Sequence, residues 1–295
     1  MRKTWPHSGT IVLVLVAGVV LGLAIGVVLG PSLFTRQGGS RSASTQRSHT
    51  AQLTMVIIPR SQDVFEPFIL EVQPNTSVVW QNNDSMAHVF MTTPDQNTFL
   101  NLEAFSLRVP AGGRVYFTFK RPGLYHYYDT TVATWDAIDA RVAAREGVPH
   151  FPLAMDGVIW VQGTISNLPS GASNHIPNGH DDFASEFIAL DPGLVALHNL
   201  DTDPHFISDV SGWSASDNPS QAGINPADIG LNRIDGTATI PGGDTINLFF
   251  STPGLYYYYC ANHARINATL HRAEALPGAS EYPIPMEGFV LVVDN

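Results

Sequence analysis

Hydrophobic and polar residues alternate along most of the chain beyond residue 50. Short segments such as SVVWQN (77–82), RVYFTF (114–119) and GLYHYY (123–128) are rich in β-branched or aromatic residues and are bounded by Pro or Gly. This pattern is typical of β-strands joined by turns. The sequence contains 25 Gly and 21 Pro and little helical periodicity, which also favours β-structure. We therefore predict an all-β fold.

Two segments depart from this alternation. WDAIDARVAARE (135–146) and HARINATLHRAEA (263–275) combine helix-forming residues with apolar positions spaced three and four apart. Each follows a Tyr-rich segment and precedes a Met-x-Gly segment. The pattern predicts a short helical insertion in the last loop of each half of the chain.

The chain contains an internal repeat. RPGLYHYYD (121–129) returns as TPGLYYYYC (252–260), an offset of 131 residues. The same offset aligns MDGVIWV (155–161) with MEGFVLV (286–292). The repeat predicts two tandem β-sandwich domains, which a chain of 295 residues is long enough to form.

Further upstream the offset of the repeat changes. NNDSMAHVF (82–90) returns as NLDTDPHFI (199–207), 117 residues later. The difference predicts an insertion in the second half, which we place in the polar, turn-rich residues 213–232. The predicted organisation is a cytoplasmic N-terminus (1–9), a transmembrane signal anchor (10–30), a flexible tether (31–50), a first domain (51–165), a linker (166–182) and a second domain (183–295).

Residues 10–30, TIVLVLVAGVVLGLAIGVVLG, carry no charge. At about 1.5 Å rise per residue they would cross a hydrocarbon core of about 30 Å. Their length and the lack of a small-x-small cleavage site favour a signal anchor over a cleaved signal peptide. Basic residues flank both sides, but no second span follows. We expect a single-pass protein of the cell membrane with its domains on the extracytoplasmic side, periplasmic or extracellular.

The portion beyond residue 50 is strongly acidic. It contains ten Lys and Arg against 26 Asp and Glu, a formal charge of −16. Such a surface excludes nucleic acid as a partner. It favours cationic partners, or it serves only solubility.

The single cysteine, Cys260, has no partner for an internal disulfide. In an exported protein such a thiol is reactive, pairs with another molecule, or is occupied by a ligand. Together with His205, His263 and Met286 it offers two imidazoles, one thiolate and a weak axial thioether. These are the ligands of a mononuclear blue-copper electron-transfer site. Copper would both deprotonate and occupy the thiol.

Three motifs carry a family resemblance. N-x-D-x-x-P-H (199–205), Y-x-C-x-x-H (258–263) and M-x-G-x-V-x-V (286–292) resemble those of the cupredoxins, the family of plastocyanin, auracyanin and pseudoazurin. The resemblance covers each half nearly end to end. It implies two Greek-key β-sandwiches and one type 1 copper per chain, with imidazoles from His205 and His263, the thiolate of Cys260 and the axial sulfur of Met286.

One feature departs from the family pattern. Between His263 and Met286 lie 22 residues, more than in small cupredoxins. His271 is therefore an alternative second imidazole, although the C-x-x-H spacing favours His263 because it fits a tight turn. The predicted insertion would also cover the copper and restrict access to it.

The first half lacks the copper motif. Asp129 stands at the position of Cys260 and Val132 at that of His263, whereas His88 and Met155 are kept. We expect this half to be a copper-free copy with a structural or docking role. A less favoured alternative is a zinc or Cu(II) site formed by His88 and Asp129 with His126 or His150.

The leading functional hypothesis is a membrane-anchored carrier of single electrons, not an enzyme. Its donor and acceptor would be redox proteins such as a cytochrome or a membrane respiratory complex. The alternative is a two-domain copper oxidase or a nitrite-reductase-like enzyme, but the H-x-H pairs that such enzymes use are absent from the sequence. A copper chaperone or sensor is disfavoured because the six methionines are scattered.

Overall fold

The computed structural model describes residues 53–94, 103–209 and 238–294. The described residues form strands, turns and loops without a helix, so the all-β prediction is confirmed for this part of the chain. None of its segments is an apolar helix long enough to cross a bilayer. The predicted signal anchor (10–30), the tether (31–50) and the insertion (213–232) lie outside the described residues.

The first half forms a three-stranded sheet, a five-stranded sheet and a hairpin. The strands are β1 (Leu53–Ile58), β2 (Ile69–Val72), β3 (Thr76–Asn82), β4 (His88–Thr92), β5 (Ser106–Val109), β6 (Arg114–Phe119), β7 (Gly123–Asp129), β8 (Ala133–Asp136), β9 (Arg141–Ala144) and β10 (Asp156–Val161). Their order is β1-β3-β6 in one sheet and β2-β10-β7-β4-β5 in the other, and β8 pairs with β9.

The second half repeats this topology strand by strand. Its strands are β11 (Gly171–Ile176), β12 (Phe187–Leu190), β13 (Gly193–Asn199), β14 (His205–Asp209), β15 (Ala238–Ile240), β16 (Thr245–Phe250), β17 (Gly254–Cys260), β18 (Ala264–Asn267), β19 (Arg272–Ala275) and β20 (Glu287–Val292). The orders are β11-β13-β16 and β12-β20-β17-β14-β15, with the hairpin β18-β19.

The second half begins earlier in the chain than its predicted boundary. Strand β11 lies within the predicted linker (166–182) and pairs in parallel with β13, just as β1 pairs with β3. The segment was read as a linker because Ser, Gly, Pro and Asn dominate it. Its backbone nevertheless completes the three-stranded sheet. The two halves also belong to one compact unit, residues 49–295.

In each half the two sheets enclose an apolar core. Tyr125 and Tyr127 of β7 point into the first core with Trp80, and Tyr256 and Tyr258 of β17 point into the second. Because neighbouring side chains along a strand face opposite sides, Leu124 of β7 and Tyr257 and Tyr259 of β17 face away from these cores.

A third core joins the two halves. It is formed by the outer faces of both five-stranded sheets, with Leu124 and Val158 from the first half and Tyr257, Tyr259 and Phe289 from the second. The rings of Tyr257 and Phe289 stack with centroids 4.5 Å apart. The Tyr-rich strands are therefore buried on both faces, which explains why polar residues are so few in them.

The predicted helical insertions are wrong, because both segments form β-hairpins. In each hairpin a side chain at the end of the first strand starts a turn: Asp136 Oδ1 accepts the Ile138 N–H at 2.8 Å, and Asn267 Oδ1 accepts the Thr269 N–H at 3.1 Å. Each four-residue loop ends in a residue with positive φ, Ala140 or His271. Such side-chain to backbone bonds compete with helix formation.

One buried arginine of each hairpin contacts the other half of the chain. Arg272 Nη1 donates to Asp156 Oδ1 at 2.8 Å and to Ala154 O at 2.9 Å, and its guanidinium lies 4.1 Å from the ring centroid of Phe68. Its counterpart Arg141 donates to Phe183 O and lies 3.6 Å from Glu186. The repeat thus places reciprocal ion pairs at the interface.

Glu287 lies in the same buried cluster, 3.7 Å from Arg272 and hydrogen-bonded by the Tyr257 hydroxyl. Burial raises the pKa of Glu287 from its ordinary value of 4.5 to about 8, although Arg272 opposes the shift. Between these two pKa values the folded protein keeps Glu287 protonated, whereas the unfolded chain has lost that proton.

We expect Glu287→Gln to become progressively more stabilising, relative to the natural protein, as pH rises from 5 to 8. With a folded pKa above the unfolded one, the free energy of unfolding contributed by Glu287 falls as pH rises between about 4.5 and 8. The amide side chain of the variant does not titrate, so this fall in the free energy of unfolding does not occur in it. Thermal unfolding at several pH values measures it, with Glu146→Gln on the surface as the control. A difference in melting temperature that does not change with pH would contradict the assignment.

Candidate metal centre

Three donor atoms converge at the end of β17. The Sγ atom of Cys260 lies 3.7 Å from Nδ1 of His205 and 3.5 Å from Nδ1 of His263. The three ligand atoms all lie within 4.8 Å of one another. Cys260 and His205 are fully buried, whereas the side chain of His263 is 18% exposed. One imidazole of the group therefore reaches the protein surface.

The strand register brings these side chains together. His205 begins β14, which pairs with β17 so that Ile207 stands opposite Cys260. His263 lies in the turn after β17, where its N–H donates to Cys260 O at 3.2 Å. The Ala261 N–H donates to Phe206 O at 2.8 Å and ties this turn to β14. Residues far apart in the sequence meet because the start of β14 and the end of β17 lie side by side at the same end of the sheet.

Asn199 organises the loop that leads to His205. Its amide donates to Asp203 O at 2.7 Å and to Ile240 O and Pro241 O at 3.1 Å. Its Oδ1 accepts the Asp201 N–H at 3.0 Å. The N-x-D part of the motif is thus the framework that presents the histidine.

Carboxylates face the far side of both imidazoles. Asp181 Oδ1 lies 3.2 Å from Nε2 of His263, and Asp201 Oδ2 lies 3.5 Å from Nε2 of His205. Asp201 is itself held by the Gly179 and Thr202 N–H groups at 2.9 and 2.7 Å. A carboxylate beside Nε2 favours the tautomer that carries its proton there, which leaves the Nδ1 lone pairs facing the sulfur.

This donor set fits a metal ion better than it fits a hydrogen bond. A thiol carries one proton and can donate to only one of the two Nδ1 atoms at a time. Donor atoms bound to a common ion at about 2.0–2.3 Å lie roughly 3.3–3.8 Å apart, which matches both observed N–S separations. A sulfur and two imidazole nitrogens suit copper.

The surroundings keep the free thiol protonated at neutral pH. Burial raises the pKa of Cys260 to about 11, although backbone N–H groups, first that of Phe206, lower it. The Phe206 N–H lies 3.3 Å from Sγ. Burial and then the neighbouring imidazole of His263 lower the pKa of His205, which favours the neutral form that can bind a metal.

Met286 and His271 occupy different positions relative to this group. Met286 is buried in the same core as Cys260, and its carbonyl accepts the Cys260 N–H at 3.0 Å. His271 is exposed at the turn of the β18-β19 hairpin with φ of 56°. Of the two alternative imidazoles, the structure brings His263 to the sulfur.

The sequence analysis missed the part played by two carboxylates. Asp181 lay in the segment read as a linker, and Asp201 was noted only as a motif position. A signal for Asp181 does exist in the repeat, because DVF (63–65) returns as DDF (181–183). The matching aspartate, Asp63, lies near the corresponding histidine of the first half.

In the first half a hydrogen bond takes the place of the histidine–cysteine pair. His88 is fully buried, and its Nδ1 lies 2.8 Å from Asp129 Oδ2. The Asp129 N–H donates to Met155 O at 2.8 Å, as Cys260 does to Met286. Burial opposes protonation of His88, but Asp129 and then Asp84 raise its pKa above the ordinary value. Val132 is buried and offers no ligand atom.

Comparisons with known proteins identify solved copper proteins. No protein-family profile matches the chain, and no curated protein matches it. A purple cupredoxin from Nitrosopumilus maritimus is 21% identical over 37% of this chain and 99% of its own, with a TM-score of 0.26. A Cu(I) form of an amicyanin mutant is 19% identical over 37% of this chain and 82% of its own, also with a TM-score of 0.26. Each similarity extends over little more than a third of this chain.

Proposed function

We propose that this protein is a cupredoxin-type carrier of single electrons with one type 1 copper per chain. His205, Cys260 and His263 would hold the ion, with Met286 as the axial ligand. The observation that carries the proposal is the convergence of one thiol sulfur and two imidazole nitrogens within 4.8 Å of one another. When bound there, copper supplies a one-electron Cu(I)/Cu(II) couple.

The chain's own residues would keep the ligand atoms in place during electron transfer. Asp181 and Asp201 flank the Nε2 sides of the two imidazoles at 3.2 and 3.5 Å. The Phe206 N–H faces the sulfur and stabilises negative charge on it. Complete burial of His205 and Cys260 excludes water from the ligand set. The partly exposed edge of His263 offers the shortest way from the ligands to a redox partner.

The location and partners belong to the same proposal and are supported by the sequence. The uncharged residues 10–30 would anchor the chain in the cell membrane with the sandwiches on the extracytoplasmic side. The formal charge of −16 beyond residue 50 would guide it to a cationic surface on a cytochrome or a respiratory complex. The anchor would raise the local concentration of the carrier near such partners.

Counting copper in the full-length chain, purified in detergent, tests the proposal. We expect one copper per chain and reversible one-electron oxidation and reduction. Two or more coppers together with turnover of oxygen or nitrite would instead support the alternative, a two-domain copper oxidase or nitrite-reductase-like enzyme.

A pair of histidine variants tests the ligand set. His263→Asn is expected to abolish the copper absorption band. His271→Asn is expected to keep it, and asparagine tolerates the positive φ at that position. Absorption and EPR spectra of both copper-loaded variants measure the effect. The opposite result would make His271 the second imidazole.

A further inference from the structure

A second cluster of ligand atoms lies in the first half, away from Cys260. Asp63, Asp84 and His88 are all buried, and one ligand atom of each lies within 4.8 Å of the others. Nε2 of His88 is buried and has no hydrogen-bond partner among the residues that the structure describes. The Asp84 carboxylate lies 3.5 Å from it. An unpartnered nitrogen thus faces two carboxylates.

The other nitrogen of His88 is already fixed. Nδ1 lies 2.8 Å from Asp129 Oδ2, and Asp129 Oδ1 accepts the Thr131 N–H at 2.7 Å. Asp129, at 2.8 Å, lies closer to Nδ1 than Asp84 does to Nε2 at 3.5 Å, so Nε2 is the nitrogen that is left for a metal. Metal-binding imidazoles in proteins have this arrangement, in which a carboxylate orients the ring from behind.

The repeat shows why this cluster has one imidazole fewer than its counterpart in the second half. Asp63, Asp84 and His88 correspond to Asp181, Asp201 and His205 of the second half. There, Asp181 lies 3.2 Å from the imidazole of His263, but Val132 occupies that position in the first half.

The Asp63 carboxylate consequently has no hydrogen bond or ion pair within the described ranges. No lysine or arginine of those ranges pairs with Asp84 or Asp129. Three carboxylates therefore lie around the imidazole of His88.

We propose that Asp63, Asp84 and His88 bind a divalent cation of the zinc class, with Asp129 as the residue that positions His88. One imidazole nitrogen and two carboxylates are ligands that zinc accepts, and the absence of sulfur disfavours Cu(I). The cation would offset the negative charge of the carboxylates. The interfacial His126 takes no part, because its Nε2 lies 2.9 Å from Asp156.

Zinc titration of the full-length chain tests this site. Copper is loaded first, so that the Cys260 group is occupied, and binding is followed by calorimetry and elemental analysis. We expect one zinc per chain. His88→Gln should weaken zinc binding at least 100-fold, and Asp63→Asn about tenfold. Asp244→Asn, an exposed carboxylate of the second half, should leave the affinity unchanged. Equal zinc binding by His88→Gln, or none at millimolar zinc, would overturn the proposal.

Two further measurements separate this site from a structural role and from the copper site. X-ray absorption should find only nitrogen and oxygen around zinc, at about 2.0–2.2 Å. A sulfur neighbour would mean displacement of copper at Cys260 and would refute the site. Asp129→Asn should still bind one zinc per chain, but its affinity for zinc should be lower by about 10–100-fold. Retention of the copper band by each variant shows that the chain has folded, and unchanged zinc affinity in Asp129→Asn would refute the positioning role.

Discussion

Replacing Cys260 with serine is expected to abolish both the intense visible absorption band of the copper-loaded protein and its reversible one-electron oxidation. The hydroxyl is a hard donor that stays protonated at neutral pH, so it does not replace a thiolate as a ligand to copper in both oxidation states. The two imidazoles would remain. Absorption spectra, EPR spectra and voltammetry of the natural protein and Cys260→Ser measure the loss.

The fold should survive this substitution. The side chain is fully buried, and the Phe206 N–H that faces Sγ at 3.3 Å can donate to the serine oxygen. We expect the free energy of unfolding of the apoprotein to fall by about 1–2 kcal/mol. Cys260→Ala, without a buried hydroxyl, serves as the matched variant and should lose the band equally. A serine variant that keeps the band would refute the proposed copper site.

Replacing Arg272 with methionine is expected to lower the free energy of unfolding by about 3–5 kcal/mol, because removal of one partner leaves a buried charge without compensation. Arg272 is 3% exposed and joins Asp156 and Ala154 of the first half to its own hairpin. Methionine keeps the apolar stem but not the charge. Urea unfolding of the apoprotein at neutral pH gives the difference.

Arg265 on the same hairpin provides the control. Its Nη2 lies 2.6 Å from Glu274, but its side chain is 56% exposed. Water screens such a pair, so Arg265→Met should cost less than about 1 kcal/mol. Adding Asp156→Asn to Arg272→Met should restore part of the lost stability by removing the uncompensated carboxylate. Equal losses for the two arginine variants would show that the buried ion pair does not stabilise the interface.

The repeat in the sequence identified positions whose physical role becomes clear only in three dimensions. The glycine of each Met-x-Gly segment is an example. A Cβ atom at Gly157 would lie 2.7 Å from Oη of Tyr127, and one at Gly288 would lie 2.5 Å from Cζ of Tyr258. The missing side chain leaves room for a tyrosine ring of the neighbouring strand.

The hairpins show where local periodicity misleads. Apolar spacing of three and four residues was interpreted as helix, but Asp136 and Asn267 close turns with their own side chains. Small residues then let the hairpins pack tightly, and Ala264 and Ala273 are fully buried in the core between the halves. Tertiary packing outweighed a weak helical preference.

The sequence by itself determined the all-β class, the internal repeat and the histidine and cysteine residues that meet at the end of β17. Alternation with a period of two residues and short motifs are local properties, so they can be recognised in the sequence without knowledge of the fold. Only the tertiary structure decided that the two five-stranded sheets pack back to back, that arginines cross between the halves, and that Asp181 stands behind His263. Some of these contacts join residues more than a hundred positions apart in the sequence. They depend on the packing of whole sheets, which no local pattern specifies.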